Sequence, residues 1–72
     1  METKEILKIE RIKHNLSQQE VADYLNIKRE SYTMYEIGKN VPPTENIIKL
    51  ADLYKCSTDY LLGRYGEMKM RG

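Results

Sequence analysis

The sequence predicts an all-α fold, a compact bundle of five short helices, and three observations predict it. The run from Leu16 to Gly38, LSQQEVADYLNIKRESYTMYEIG, divides at Asn26 into two stretches that each carry helical spacing and terminal signals. Residues 3–14 are strong helix formers with no Gly or Pro. Residues 44–62 return to helical spacing after a Pro-Pro break.

In the first segment Ile6, Leu7, Ile9 and Ile12 spread over a wide face, while Lys13 and His14 complement the negative pole at its end. Asn15 can cap the turn into Leu16. A second helix starts at Ser17, because Ser17 and Glu20 form an S-x-x-E capping box in which hydroxyl and carboxylate each satisfy an orphan amide. Val21, Ala22 and Leu25 share one face, with alanine small enough for another helix to cross closely. Asn26 stops the helix, since its short amide tolerates the left-handed conformation a sharp turn needs. In the third helix Ile27, Tyr32 and Tyr35 point inward, Arg29, Glu30, Thr33 and Met34 fall on the other side, and Gly38 suits a C-terminal cap.

Lys39 to Pro43 is a loop, because consecutive prolines remove amide donors and restrict the preceding residue. A fourth helix opens at Pro43 or Thr44, with Glu45 at its positive end and Ile47, Ile48, Ala51 and Tyr54 at helical spacing. Leu50 and Leu53 widen its buried side. Ser57 caps a short fifth helix running through Leu62 and ended by Gly63. Residues 1–63 therefore read as one domain, and residues 64–72 as a flexible tail whose Tyr65, Met68 and Met70 are candidates for packing in a dimer. Of the tyrosines, Tyr32, Tyr35, Tyr54 and Tyr60 fall on inward or half-inward positions, whereas Tyr24 and Tyr65 are expected to be exposed.

Composition narrows the function classes. With 72 residues, 40% hydrophobic and 32% charged, the chain reads as a single soluble domain with no apolar run long enough for a membrane span and no recognisable signal peptide. The lone Cys56 has no internal bridging partner and is expected to be a packed thiol, consistent with a cytoplasmic setting. His14 lacks a second histidine or paired cysteines, so no metal site is expected. Nothing places a nucleophile beside a base or a glycine-rich loop at a phosphate, so neither an enzyme nor a cofactor is expected. Residues 1–40 carry seven Lys or Arg and seven Asp or Glu, so bulk charge predicts only weak non-specific attraction to nucleic acid.

The two helices around Asn26 have the grammar of a helix-turn-helix, spanning about residues 17–36. Arg11, Leu16-Ser17-Gln18, Val21-Ala22, Asn26, Tyr35-Glu36-Ile37-Gly38 and Pro42, followed by Leu50-Ala51 and Asp59-Tyr60-Leu61-Leu62-Gly63, resemble the lambda-repressor-like XRE (Cro/cI) family, over roughly residues 4 to 63. That resemblance implies a five-helix, DNA-binding regulator of prokaryotic or phage origin, a repressor, acting as a homodimer on a two-fold duplex operator without a small-molecule effector. It also implies a structural ion pair between Arg11 and Glu36.

The residues themselves suggest how DNA would be met. Gln18 lies in the first turn of the second helix, where amides and dipole attract an anion; the resemblance implies that it clamps a phosphate, with Ser17 beside it, against the alternative of a solvated helix former. Arg29 suits guanine O6 and N7; Glu30 suits the cytosine amino group, or else pairs with Lys28 or the helix dipole. Met34 and the Thr33 methyl suit thymine methyls, against plain solvent exposure, and Lys28 adds a cation at the groove. Lys39, helped by Asn40, suits a second phosphate, against a solvated loop lysine. The competing class is a helix-turn-helix turned protein-interaction module, such as an antirepressor or antitoxin, which the neutral charge and Glu30 favour.

Overall fold

The computed structural model describes residues 1–63. These form five helices: α1 (Thr3–Lys13), α2 (Gln18–Leu25), α3 (Arg29–Ile37), α4 (Thr44–Tyr54) and α5 (Thr58–Leu61). The tail anticipated for residues 64–72, with Tyr65, Met68 and Met70, lies outside the described residues.

Local chemistry sets most boundaries. Ser17 Oγ accepts from the Glu20 amide at 3.0 Å while the Glu20 carboxylate accepts from the Ser17 amide at 2.8 Å, so both halves of the capping box form. A second box, between Glu2 and Glu5, opens α1. Left-handed residues close the helices or the turns after them: Asn15 (φ 57°), Asn26 (φ 59°), Gly38 (φ 87°) and Gly63 (φ 77°). Lys55, at φ 55°, does the same at the end of α4, where its amide donates to the Ala51 carbonyl. The fifth helix is one residue shorter than expected, with Leu62 as its cap.

The core joins Ile6 and Leu7 of α1, Val21, Ala22 and Leu25 of α2, Tyr32 and Tyr35 of α3, Leu50, Ala51 and Tyr54 of α4, and Leu61 of α5. Tyr60 and Leu53 pack partly buried against it, and Tyr24 is exposed. The wide apolar face anticipated for α1 is narrower than it reads. Ile9 and Ile12 are 43% and 56% exposed, and the position that completes the buried stripe of Ile6 and Leu7 is Glu10, only 4% exposed. Glu10 is tolerated there because Tyr60 donates a hydrogen bond to it at 3.0 Å and Lys13 lies 3.5 Å away. Ile48 likewise turns out to solvent, at 50% exposure, while Ile47 turns in.

α2 and α3 pack on one another, α1 lies against α3, and α5 bridges α4 and α1. The result fixes the outer edge of α3 relative to the start of α2. Gly38 illustrates the tolerance of this arrangement: a Cβ there would stand 2.6 Å from Cδ of Lys4, a side chain that can move, but the left-handed backbone would remain. Gly38→Ala should therefore cost about 1 kcal/mol and lower the melting temperature by roughly 4–8 °C, measured by circular dichroism.

Candidate nucleic-acid interface

Beneath the outer edge of α3 sits an ion pair. Arg11 Nε donates to Glu36 Oε2 at 2.6 Å and Nη2 donates to Oε1 at 3.2 Å, with the two side chains 14% and 3% exposed. The third arm of the guanidinium, Nη1, donates to the Leu16 carbonyl at 3.0 Å, just ahead of α2. One arginine on α1 thus holds the end of α3 and the entry to α2 together, as the bidentate geometry of guanidinium and carboxylate permits. Behind the pair, the hydroxyls of Tyr32 and Tyr54 lie 3.0 Å apart, and the His14 ring packs on Tyr54 at a centroid distance of 5.6 Å.

Burial by itself pushes the Glu36 carboxyl up, but hydrogen bonds from Arg11, Tyr32 and Gln18, together with the Arg11 charge, outweigh it and hold Glu36 below its ordinary value of 4.5. Tyr54 is pushed up to about 12, first by burial and then by the Glu36 charge, against a lowering hydrogen bond from Tyr32. Tyr32 is raised further, by burial and by its bonds to Glu36 and Tyr54.

Gln18 sits half-buried at the α2–α3 junction, and both ends of its amide are engaged. Nε2 donates to Glu36 Oε1 at 3.1 Å, and Oε1 accepts from Thr33 Oγ1 at 2.8 Å. Thr33 also lies 2.9 Å from the Arg29 carbonyl. Of the two readings of Gln18, a merely solvated helix former does not fit these bonds. The links from Gln18 to Thr33 and Glu36 were not anticipated from the sequence, where spacings of 15 and 18 residues carry no periodic signal. Ser17 stays exposed, with its hydroxyl oxygen and backbone amide both committed to the capping box.

Along α3, Lys28, Arg29 and Glu30 are exposed, and Thr33 and Met34 partly so. Lys28 stands at the N-cap without a side-chain cap bond. Glu30 lies in the first turn and pairs with neither Lys28 nor another cation among the described residues, so its charge faces the positive end of the helix. Beyond Gly38 the chain wraps onto α3: the amides of Gly38, Lys39 and Asn40 all donate to the Met34 carbonyl, at 3.1, 3.0 and 3.3 Å. Those main-chain donors are spent, and Lys39 and Asn40 offer an external ligand only their exposed side chains. Arg29 and Glu30 thus lie on the first turn of α3, Lys28 at its start and Lys39 just past its end, while the Gln18 amide is held against Thr33 and Glu36 in its C-terminal half.

Residues 7–61 match a protein family described as helix-turn-helix. The chain belongs to the XRE-type helix-turn-helix family. This XRE-type domain is 40% identical over 65 residues to the cryptic phage CTXphi transcriptional repressor RstR of Vibrio cholerae serotype O1 (strain ATCC 39315 / El Tor Inaba N16961), a match covering 90% of this chain and 58% of that protein. It is 45% identical over 58 residues to the SPbeta prophage-derived uncharacterized HTH-type transcriptional regulator YonR of Bacillus subtilis (strain 168), covering 81% of this chain and 54% of that one. The chain spans about half the length of the curated relatives it matches. Among solved structures, the P22 c2 repressor protein in complex with synthetic operator 9T superposes with a TM-score of 0.83 at 23% identity, covering 89% of this chain and 97% of that one, which establishes the shared fold.

The ion pair makes the XRE-type domain sensitive to acid in a defined direction. Glu36 ionises more readily folded than unfolded, so its contribution is complete above 4.5 and is lost as the pH falls through its lower folded value. Urea denaturation across pH should show stability falling from about pH 4.5 downward. Glu36→Ala, which leaves Arg11 buried without its partner, should cost about 3–5 kcal/mol at neutral pH, most of the stability of a domain this small.

Proposed function

We propose that this domain is the DNA-reading part of a transcriptional regulator, a repressor, and that it lays α3 in the major groove of a specific duplex operator. One observation carries the reading: a single helix edge presents Arg29, Glu30 and Met34 outward, with Lys28 at its start and Gln18 and Lys39 beside its C-terminal half. A helix of this diameter fits the major groove, where every base pair is distinguishable. The naming of RstR as a transcriptional repressor and the P22 c2 repressor's complex with an operator lend support.

In this reading Arg29 grips guanine, Glu30 accepts from cytosine, and Met34 and the Thr33 methyl meet thymine methyls, with Lys28 reinforcing the groove contact. Ser17, Gln18, Lys39 and Asn40 take the phosphates that set the register. A single domain reads few base pairs, so the acting form is a homodimer on a two-fold operator with half-sites about 34 Å or a multiple apart. The setting is the bacterial cytoplasm, and no chemistry or cofactor is needed.

Selection from a randomised duplex pool at low salt should enrich one sequence, and its salt dependence should be shallow because few phosphates are neutralised. On that operator, Arg29→Ala should relax preference at one base pair, at a cost of about 1–3 kcal/mol. Lys39→Ala should weaken binding to all duplexes alike and lower the salt slope by about 0.9. Failure to enrich any duplex would leave the protein-interaction module, an antirepressor or antitoxin, as the better reading.

A further inference from the structure

Thr33 uses its hydroxyl in a way a base-reading residue has no need to. The hydroxyl has one hydrogen, and its acceptors in the domain are Gln18 Oε1 at 2.8 Å and the Arg29 carbonyl at 2.9 Å. At the other end of the same amide, Glu36 already accepts from Arg11 and can only accept again, so Gln18 must turn its nitrogen toward the carboxylate. The reversed amide would set oxygen against a carboxylate oxygen, whereas Thr33 could meet the nitrogen by accepting from it while donating to the Arg29 carbonyl. Glu36 therefore selects the sense, and in that sense the Thr33 hydroxyl donates to Oε1 and holds the amide in place.

We propose that Thr33 and Glu36 together fix the Gln18 amide so that it meets a DNA phosphate as a donor only, which makes the Thr33 hydroxyl a positioning group. The inference rests on the reading of this face as DNA-binding. Nε2 carries two hydrogens; Glu36 takes one, and among the described residues no acceptor takes the other. A phosphate oxygen only accepts, so an amide presenting nitrogen attracts it and one presenting oxygen repels it. The hydrogen bond that Thr33 gives to Oε1 also polarises the amide and strengthens its remaining N–H as a donor. The methyl of Thr33 is not spent on this task, so one residue can serve phosphate positioning and groove contact through different atoms.

Thr33→Val keeps a methyl and the β-branch while removing the hydroxyl. Fluorescence-anisotropy titration against the selected operator and its single-base variants should show affinity reduced about threefold to tenfold, equally for every duplex. The salt slope should not change, because no charge is lost. Thr33→Ser, which keeps the hydroxyl but loses the methyl, should recover the uniform loss on duplexes without the thymine that the methyl meets, and Thr33→Val should add nothing to Gln18→Ala, with circular dichroism melts showing each variant folded. Unchanged affinity, preference relaxed at one base pair, no rescue by serine, or additivity with Gln18→Ala would each overturn the positioning role. The Gln18 side-chain amide is also followed by nitrogen-15 NMR in the free protein, where one hydrogen held by Glu36 predicts two well-separated, exchange-protected resonances that Thr33→Val perturbs. A wild-type domain that shows those resonances but binds no duplex would overturn the DNA reading while leaving the fixed amide intact; averaged, unprotected resonances would overturn the fixed amide itself.

Discussion

The structure depends on one buried charge pair. Arg11 comes from α1, ahead of the helix-turn-helix, and Glu36 from the end of α3, and their contact converts three separate helices into a single frame. Desolvating a guanidinium and a carboxylate is costly, and the pair is sustained because almost every donor and acceptor it offers is used. Glu36 accepts from Arg11 twice and from Gln18, and Arg11 spends its third arm on the Leu16 carbonyl. Among the described residues no buried side-chain nitrogen or oxygen lacks a partner.

This frame connects the core to the surface without an apolar gap. From Tyr54 and Tyr32 the polar contacts pass to Glu36, then through Gln18 to Thr33 on the outer half of α3. In a low-dielectric interior such a chain is rigid when fully satisfied. A small domain gains twice from this: the contacts add to a limited core, and they hold surface groups at fixed positions. Among the described residues Lys28, Arg29 and Lys39 have no ion-pair partner, so their exposed side chains stay available at α3 and its ends.

The near-neutral charge of the first 40 residues takes on a different sense in this light. Several acids do structural work: Glu36 sits in the ion pair, Glu10 is buried under Tyr60, and Glu2, Glu5 and Glu20 serve capping boxes. The cations Lys28, Arg29 and Lys39 remain at the outer edge of α3 and its ends. Counting charges along the chain mixes these two populations, and only their positions in space separate them.

Sequence alone determined the helix count, the capping box at Ser17, the left-handed Asn26 and Gly38, and the inward tyrosines, because each is governed by residues within one or two turns. The Arg11–Glu36 pair was accessible only through family resemblance, since nothing local at either residue names its partner. Tertiary structure decided the rest. It put Glu10 inside where Ile9 and Ile12 had looked more suitable, gave Lys55 a left-handed cap with no propensity signal, and turned the Thr33 hydroxyl onto Gln18. These outcomes depend on how helices cross and on which donors meet across 15 or more residues, and local spacing holds no record of either.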